Sequence, residues 1–178
     1  SRLTDTRLKK GAKHIDFSVS KTRTSENADI YGEFIPQTDL IIANFLANYI
    51  MQNNLQNDAF IEQNLVFKKG QTKIGYGLVD RDGDIPKNKG AMYPYSFKEY
   101  KKMMSTYTIQ YAAKMSGISE EVLLEAAKLI CDPKTKVTSY WTMGVNQHTR
   151  GVWMNHLIYN YHLLQGKISE PGNGPFSL

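Results

Sequence analysis

The chain has one cysteine, Cys131, in 178 residues. A single thiol cannot form an internal disulfide or supply a multi-cysteine metal site, so cysteine usage says nothing about compartment. Long apolar runs are also missing. The most apolar stretch, Leu40–Met51, is interrupted by Asn44 and Asn48 and falls short of the ~20 residues a membrane helix needs. The first residues are charged and lack an apolar segment, so no signal peptide is expected there. No internal repeat or low-complexity tract occurs. Paired histidines at helical ligand spacing are absent too: His148, His156 and His162 follow one another at eight and six residues, not three or four, so no metal site is expected on them.

What is present reads as one ordinary globular unit, with 41% hydrophobic and 22% charged residues, enough for a real core. The net charge of +5 has a location. Residues 1–24 hold seven basic side chains (Arg2, Arg7, Lys9, Lys10, Lys13, Lys21, Arg23) against Asp5 and Asp16, and the remainder balances at fifteen of each sign. Either a solvated basic face or an anionic ligand near that end accounts for this.

Along the chain, His14–Ser20 and Ala28–Ile35 read as strands. Pro36-Gln37-Thr38-Asp39 opens a broadly apolar helix, with Thr38 as N-cap and Asp39 complementing the helix dipole. Asn53-Asn54 ends that helix, and 58–63 reads as a short one. Residues 65–95 have little periodicity and predict a long loop or excursion. Ser96 caps a helix carrying Phe97, Tyr100, Met104, Tyr107 and Tyr111 on one face. Ser119-Glu120-Glu121 starts another that Asp132-Pro133 stops. Lys136–Thr142 is a third strand, and Thr149 caps a final helix ending at Gly166. Strands alternating with helices predict an α/β fold, three-layered and Rossmann-like with a mainly parallel sheet. The expected units are 1–64 (nucleotide-binding strand and helix units), 65–95 (the excursion), 96–166 (completing the layer) and 167–178 (a loop leading onward).

Several tempting motifs fail on spacing. Asp80-Arg81-Asp82-Gly83-Asp84 puts its glycine fourth and Ala91 twelfth, which is not a calcium loop. Gly75-Tyr76-Gly77 lacks a third glycine, and Lys69-Gly70-Gln71-Thr72 is not a phosphate loop. Cys131 reads as a packed thiol. Two constellations survive. Ser18-Val19-Ser20-Lys21-Thr22-Arg23-Thr24 follows the first strand and offers hydroxyls and positive charge to phosphate oxygens. Pro36-Gln37-Thr38-Asp39 offers exposed N–H groups to an anion and a carboxylate to paired N–H donors such as a guanine edge. Plain turn and cap chemistry is the alternative for both.

The richest stretch is Trp141–Leu178, where a polar turn joins an aromatic strand end to a helix buried almost all round. α/β proteins place ligands at such turns. This stretch, together with Arg23-Thr24-Ser25-Glu26-Asn27-Ala28-Asp29, Pro36-Gln37-Thr38-Asp39 and Gly75-Tyr76-Gly77-Leu78, resembles the molybdopterin oxidoreductases. Within them it is most similar to the catalytic subunits of periplasmic nitrate reductases. The similar segments include Thr142-Met143-Gly144-Val145-Asn146-Gln147-His148-Thr149-Arg150-Gly151, His162-Leu163-Leu164, Gly166-Lys167-Ile168 and Pro171-Gly172-Asn173.

The resemblance implies a piece of a longer catalytic chain that binds molybdenum bis(molybdopterin guanine dinucleotide) and a four-iron four-sulfur cluster. Such an enzyme reduces nitrate to nitrite in the periplasm, with electrons from a cytochrome c-type subunit. Carried over by position, Ser18, Val19, Ser20, Lys21, Thr22, Gln37, Thr38 and Asp39 would contact the guanine nucleotide. Met143 and Gln147 would approach the pterin. The cluster and molybdenum ligands of that family are cysteines, which this chain cannot supply, so it is expected to be an internal fragment, inactive alone, whose partner is the remainder of the subunit. The alternatives are a fragment of an assimilatory nitrate reductase or formate dehydrogenase, or a basic anion- or nucleic-acid-binding module. A domain without affinity of its own is a further possibility. Against the nucleic-acid module, Phe17 is the only aromatic among the first 24 residues, whereas single-strand binders interleave aromatics with charge.

Overall fold

A computed structural model of the chain describes residues 2–70 and 92–178. The readings placed on Gly75–Leu78 and Asp80–Asp84, and part of that on Lys69–Thr72, lie outside the described residues. The elements run α1 (Arg2–Lys10), β1 (Ile15–Ser18), a 3-10 turn (Ser25–Asn27), β2 (Ile30–Glu33), α2 (Asp39–Gln52) and α3 (Asp58–Asn64). Then come β3 (Lys68–Gly70), β4 (Met92–Pro94), α4 (Phe97–Met104), α5 (Ile109–Ser116) and α6 (Glu120–Ile130). The chain closes with β5 (Thr138–Trp141), α7 (Met143–Asn146), α8 (Gly151–Leu164) and β6 (Gly174–Ser177).

α2 and α8 form the centre of the molecule and pack extensively on each other. Their sequences dictate this. Ile42, Ala43, Phe45, Leu46, Ala47, Ile50 and Met51 are buried around almost the whole circumference of α2, the pattern of a helix enclosed on all sides. α8 buries Met154, Ile158, Tyr161, His162 and Leu164. Leu123 of α6 and the thiol of Cys131 complete the core, each with 1% exposure or less. Burial pushes the Cys131 pKa up to about 12, so it is a packed thiol. Asn48 enters this apolar setting because its amide donates to the Tyr107 carbonyl at 3.0 Å.

The helix predicted across Phe97–Tyr111 is two helices. Ser96 and Glu99 start α4 with a reciprocal capping box. At its end the Ser105 hydroxyl donates to the Lys102 carbonyl and Thr106 Oγ1 to that of Met103. Thr108 then caps α5 by accepting from the Tyr111 N–H at 3.2 Å. Three hydroxyls thus offer the backbone competing partners and stop the helix between its apolar residues. Gly117, at φ 80°, ends α5, and Gly166, at φ 66°, follows α8 in the same left-handed conformation.

β1 and β2 pair in parallel with Phe17 opposite Gly32, and β5 pairs in parallel with β6. β3 and β4, both within the span where a loop is expected, pair antiparallel. The fold is mixed α/β with small parallel ladders, and the described strands form three separate two-stranded pairs rather than one sheet. β6 falls where a loop is expected over 167–178. Gly172, Gly174 and Pro175 conceal it, because proline is tolerated where a strand needs no ladder donor. Among the described residues no helix is long and apolar enough to cross a membrane.

Candidate functional site

Each group of predicted site residues follows the carboxyl end of a parallel strand: Val19–Thr22 after β1, Gln37–Asp39 after β2, and Met143–Gln147 after β5. Parallel pairing brings the first two groups to the same end of one ladder, since Ser18 lies opposite Glu33.

The loop after β1 is tied together by hydroxyls. Buried Ser25 accepts from the Thr22 N–H at 2.9 Å, and its Oγ lies 3.1 Å from Thr22 Oγ1 and 3.4 Å from that of Ser18. Ser18 Oγ also donates to the Ser20 carbonyl at 3.0 Å. The hydroxyls of Ser18 and Thr22 are therefore used to shape the loop, while Val19, Ser20, Lys21 and Arg23 are exposed on it. Sequence reasoning missed Ser25, the hub of this loop, because its role depends on burial.

The basic character of the amino-terminal region is partly neutralised. Asp29 accepts two bonds from Arg7, at 2.9 and 3.1 Å, one from Lys13 at 3.3 Å, and one from the His14 N–H at 2.9 Å. The Arg7 guanidinium above all, with the His14 amide, brings the Asp29 pKa down to about 2. Two of the seven cations are thereby paired, Arg7 tying α1 to the residue before β2 and Lys13 adding its charge from the segment after α1, which leaves Lys21 and Arg23 as the exposed cations on the candidate loop.

At the start of α2, Gln37 is exposed and has φ 70°. A non-glycine residue in that region is strained and points to a constrained turn. Thr38 occupies the N-cap position, but its hydroxyl donates to the Ile35 carbonyl at 2.6 Å and caps no helix N–H. The expected Thr38 cap is thus corrected: the preceding turn captures the hydroxyl. Asp39 is buried, and its Oδ1 accepts from the Leu40 N–H at 3.0 Å.

Residues 142–150 form a single helical turn, α7, followed by a bend. Thr149 does not cap α8; Arg150 holds that position without a side-chain bond. Asn146 organises the turn. Its Oδ1 accepts from Trp141 Nε1 at 3.1 Å and from Asn155 Nδ2 at 2.9 Å, and its amide donates to Ser177 Oγ at 2.8 Å. These bonds tie the turn to β5, α8 and β6 together. Gly151 is required beneath it, because a Cβ there would lie 2.5 Å from the Asn146 carbonyl oxygen. Met143, 62% exposed, and Gln147 are thus presented outward on a braced turn.

Asp39 of the second group touches the residue that follows the third. His148 Nε2 lies 3.3 Å from Asp39 Oδ2, with the two side chains 21% and 9% exposed. The distance is that of an ion pair, yet Nε2 has no aligned hydrogen-bond partner. We take this as an electrostatic contact without hydrogen-bond geometry.

Among the described residues, no cluster of three or more His, Cys, Asp and Glu could hold a metal ion. His162 is engaged within the protein: Nε2 is 2.8 Å from Ser139 Oγ, and Nδ1 is 3.0 Å from the Lys167 carbonyl. This Ser–His contact is sealed in the core, with His162 at 0% exposure, so it reaches no substrate. A depression of about 320 Å³ lined by Tyr159, Ile168, Glu170, Asn173 and Phe176 includes none of the predicted site residues.

No family model matches the chain. Among solved structures it is similar to acetylene hydratase from Pelobacter acetylenicus, with a TM-score of 0.59 and 18% identity. The match covers 93% of this chain and 18% of that one. At this identity the likeness is one of fold, and the chain has the span of a minor part of that much larger protein.

Proposed function

We propose that this chain is the nucleotide-binding part of a molybdopterin oxidoreductase catalytic subunit, of the periplasmic nitrate reductase kind. The observation that supports this reading is the placement of the predicted contacts at strand ends. All three groups follow carboxyl ends of parallel strands, the position α/β proteins use for ligands, and Asp39 of the second group touches His148, the residue next to Gln147 of the third. The fold likeness to acetylene hydratase, a molybdopterin enzyme, supports the same class.

In this reading the two parallel ladders belong to a three-layer Rossmann-like arrangement that the remainder of the subunit completes. Residues 1–64 supply the nucleotide-binding units, 65–95 a long loop or excursion, 96–166 complete the layer, and 167–178 lead into the next segment. Lys21 and the 18–22 loop amides meet the nucleotide phosphates, Gln37 and Asp39 the guanine, and Met143 and Gln147 the pterin side. The metal centre does not fit this chain. Its one thiol, Cys131, is sealed in the core with its pKa pushed up to about 12. Molybdenum, which would supply oxygen-atom-transfer chemistry, and the four-iron four-sulfur cluster would be held by other parts of the subunit. The electron donor would be a cytochrome c-type protein, and the compartment the periplasm. The pairing of Arg7 and Lys13 with Asp29 weighs against a dedicated nucleic-acid surface.

Titration with GMP and GDP, followed by NMR shifts, tests the reading. Weak, saturable binding with shifts in 18–22 and 37–39 is expected, and Asp39→Ala should abolish it. Binding that survives Asp39→Ala unchanged would remove the guanine assignment.

A further inference from the structure

Asp39 is the residue on which the guanine assignment turns, yet its side chain is only 9% exposed. What covers it includes His148, which is not among the predicted contacts. The tautomer of that ring follows from its other nitrogen. Nδ1 accepts from the Arg150 N–H at 3.3 Å, so the neutral ring carries its proton on Nε2. The Nε2–H is buried, has no aligned acceptor, and sits 3.3 Å from Asp39 Oδ2. Oδ1 already accepts from the Leu40 N–H. A covered carboxylate is thus met on its second oxygen by an N–H donor that is near but badly aligned.

We propose that His148 is a placeholder for the base: its Nε2–H occupies the Asp39 carboxylate until a purine edge with paired N–H donors displaces it. This rests on the nucleotide reading above and sharpens it into a statement about specificity. The incoming group must be a donor toward Asp39. Guanine qualifies through N1–H and its exocyclic amine, hypoxanthine keeps only N1–H, and adenine presents an acceptor at N1. A poorly aligned contact is the kind a better donor pair can replace, whereas an acceptor edge would leave both His148 and Asp39 unsatisfied. Because His148 belongs to the turn that carries Met143 and Gln147, its displacement also moves the residues assigned to the pterin side.

The test is calorimetric titration of this chain with GMP, IMP and AMP, using wild type, His148→Ala, His148→Gln and Asp39→Asn, with melting curves to verify folding. His148→Ala is expected to bind GMP about threefold to fivefold more tightly, the scale of one lost competing electrostatic contact without hydrogen-bond geometry. AMP affinity should not change. His148→Gln, which retains an N–H donor, should resemble wild type, and Asp39→Asn should lose the preference for GMP over AMP. A folded His148→Ala protein that binds GMP equally or more weakly, while Asp39→Asn still loses the preference, overturns the placeholder and leaves the nucleotide reading standing. A GMP preference that survives Asp39→Asn, or no nucleotide binding by any of the four proteins, overturns both.

Discussion

His162 makes stability depend on pH in a way that can be isolated. The ring is fully buried, and the Lys167 carbonyl can only accept, so Nδ1 carries the proton and Nε2 accepts from the Ser139 hydroxyl. Ser139 Oγ in turn accepts from Tyr161 O–H at 2.8 Å. Protonating Nε2 would reverse this chain inside the core. Burial accordingly lowers the His162 pKa from 6.5 to about 4. The folded state therefore binds fewer protons than the unfolded state between these values. The stabilisation is fully present above pH 6.5 and is lost as pH falls toward 4. The gap amounts to roughly 3 kcal/mol in full, of which about 2 kcal/mol is gone by pH 5. Urea denaturation of wild type and His162→Gln at pH 7.5, 6 and 5 reads this directly. The variant should be less stable at pH 7.5, and the difference should shrink by about 2 kcal/mol by pH 5. Asp29 titrates in the folded state at about 2, below this range, and the other histidines are common to both proteins. Parallel pH dependence in the two proteins would refute the buried neutral imidazole.

Three other substitutions probe the frame around the site. Gly151→Ala places a Cβ 2.5 Å from the Asn146 carbonyl oxygen; a loss of about 2–3 kcal/mol is expected, with amide shifts concentrated in 142–150. Arg7→Ala removes the strongest influence holding Asp29 near 2, so the Asp29 pKa should rise toward 3.8 in an NMR titration. That stabilisation exists above pH 3.8 and disappears toward 2; because the pair is partly exposed, about 1 kcal/mol is the expected loss at pH 7. Leu123→Ala empties a position that is 1% exposed and should cost roughly 2–5 kcal/mol in chemical denaturation.

Some features set by adjacent residues were legible in the sequence, although the expected Thr38 and Thr149 caps failed, and features set by distant contacts were not. Ser96, Ser119 and Gly166 act at helix ends as expected, because capping needs only neighbouring backbone groups. Apolar periodicity joined α4 to α5, since it does not register hydroxyls competing for helix carbonyls. α1 escaped notice because its last turn is Arg7, Lys9 and Lys10 and its visible anchor is the distant carboxylate of Asp29. At the candidate site, residue type singled out the 18–24 and 36–39 segments as candidates, and the resemblance singled out Met143 and Gln147. Ser25, Asn146, Asn155 and the Asp39–His148 contact could not be picked out, because each gains its role from burial or from chain segments far apart in sequence.

The nearness of the first two loops depends on strand register, and that register is set away from the site. Gly32 lies opposite Phe17, and a Cβ on it would come within 2.7 Å of the Phe17 ring and 3.0 Å of Ile118. Phe17 therefore packs where only a glycine leaves room. Sliding β2 by one residue would put Tyr31 or Glu33 beneath that ring and turn the buried face of the strand outward. With Phe17 held over Gly32, Ser18 falls opposite Glu33, and the 18–22 loop emerges beside the turn that leads to Gln37 and Asp39. The chemistry proposed for these loops needs a phosphate-binding segment and a base-reading carboxylate at one edge. An apolar contact with no role in binding is what brings them there.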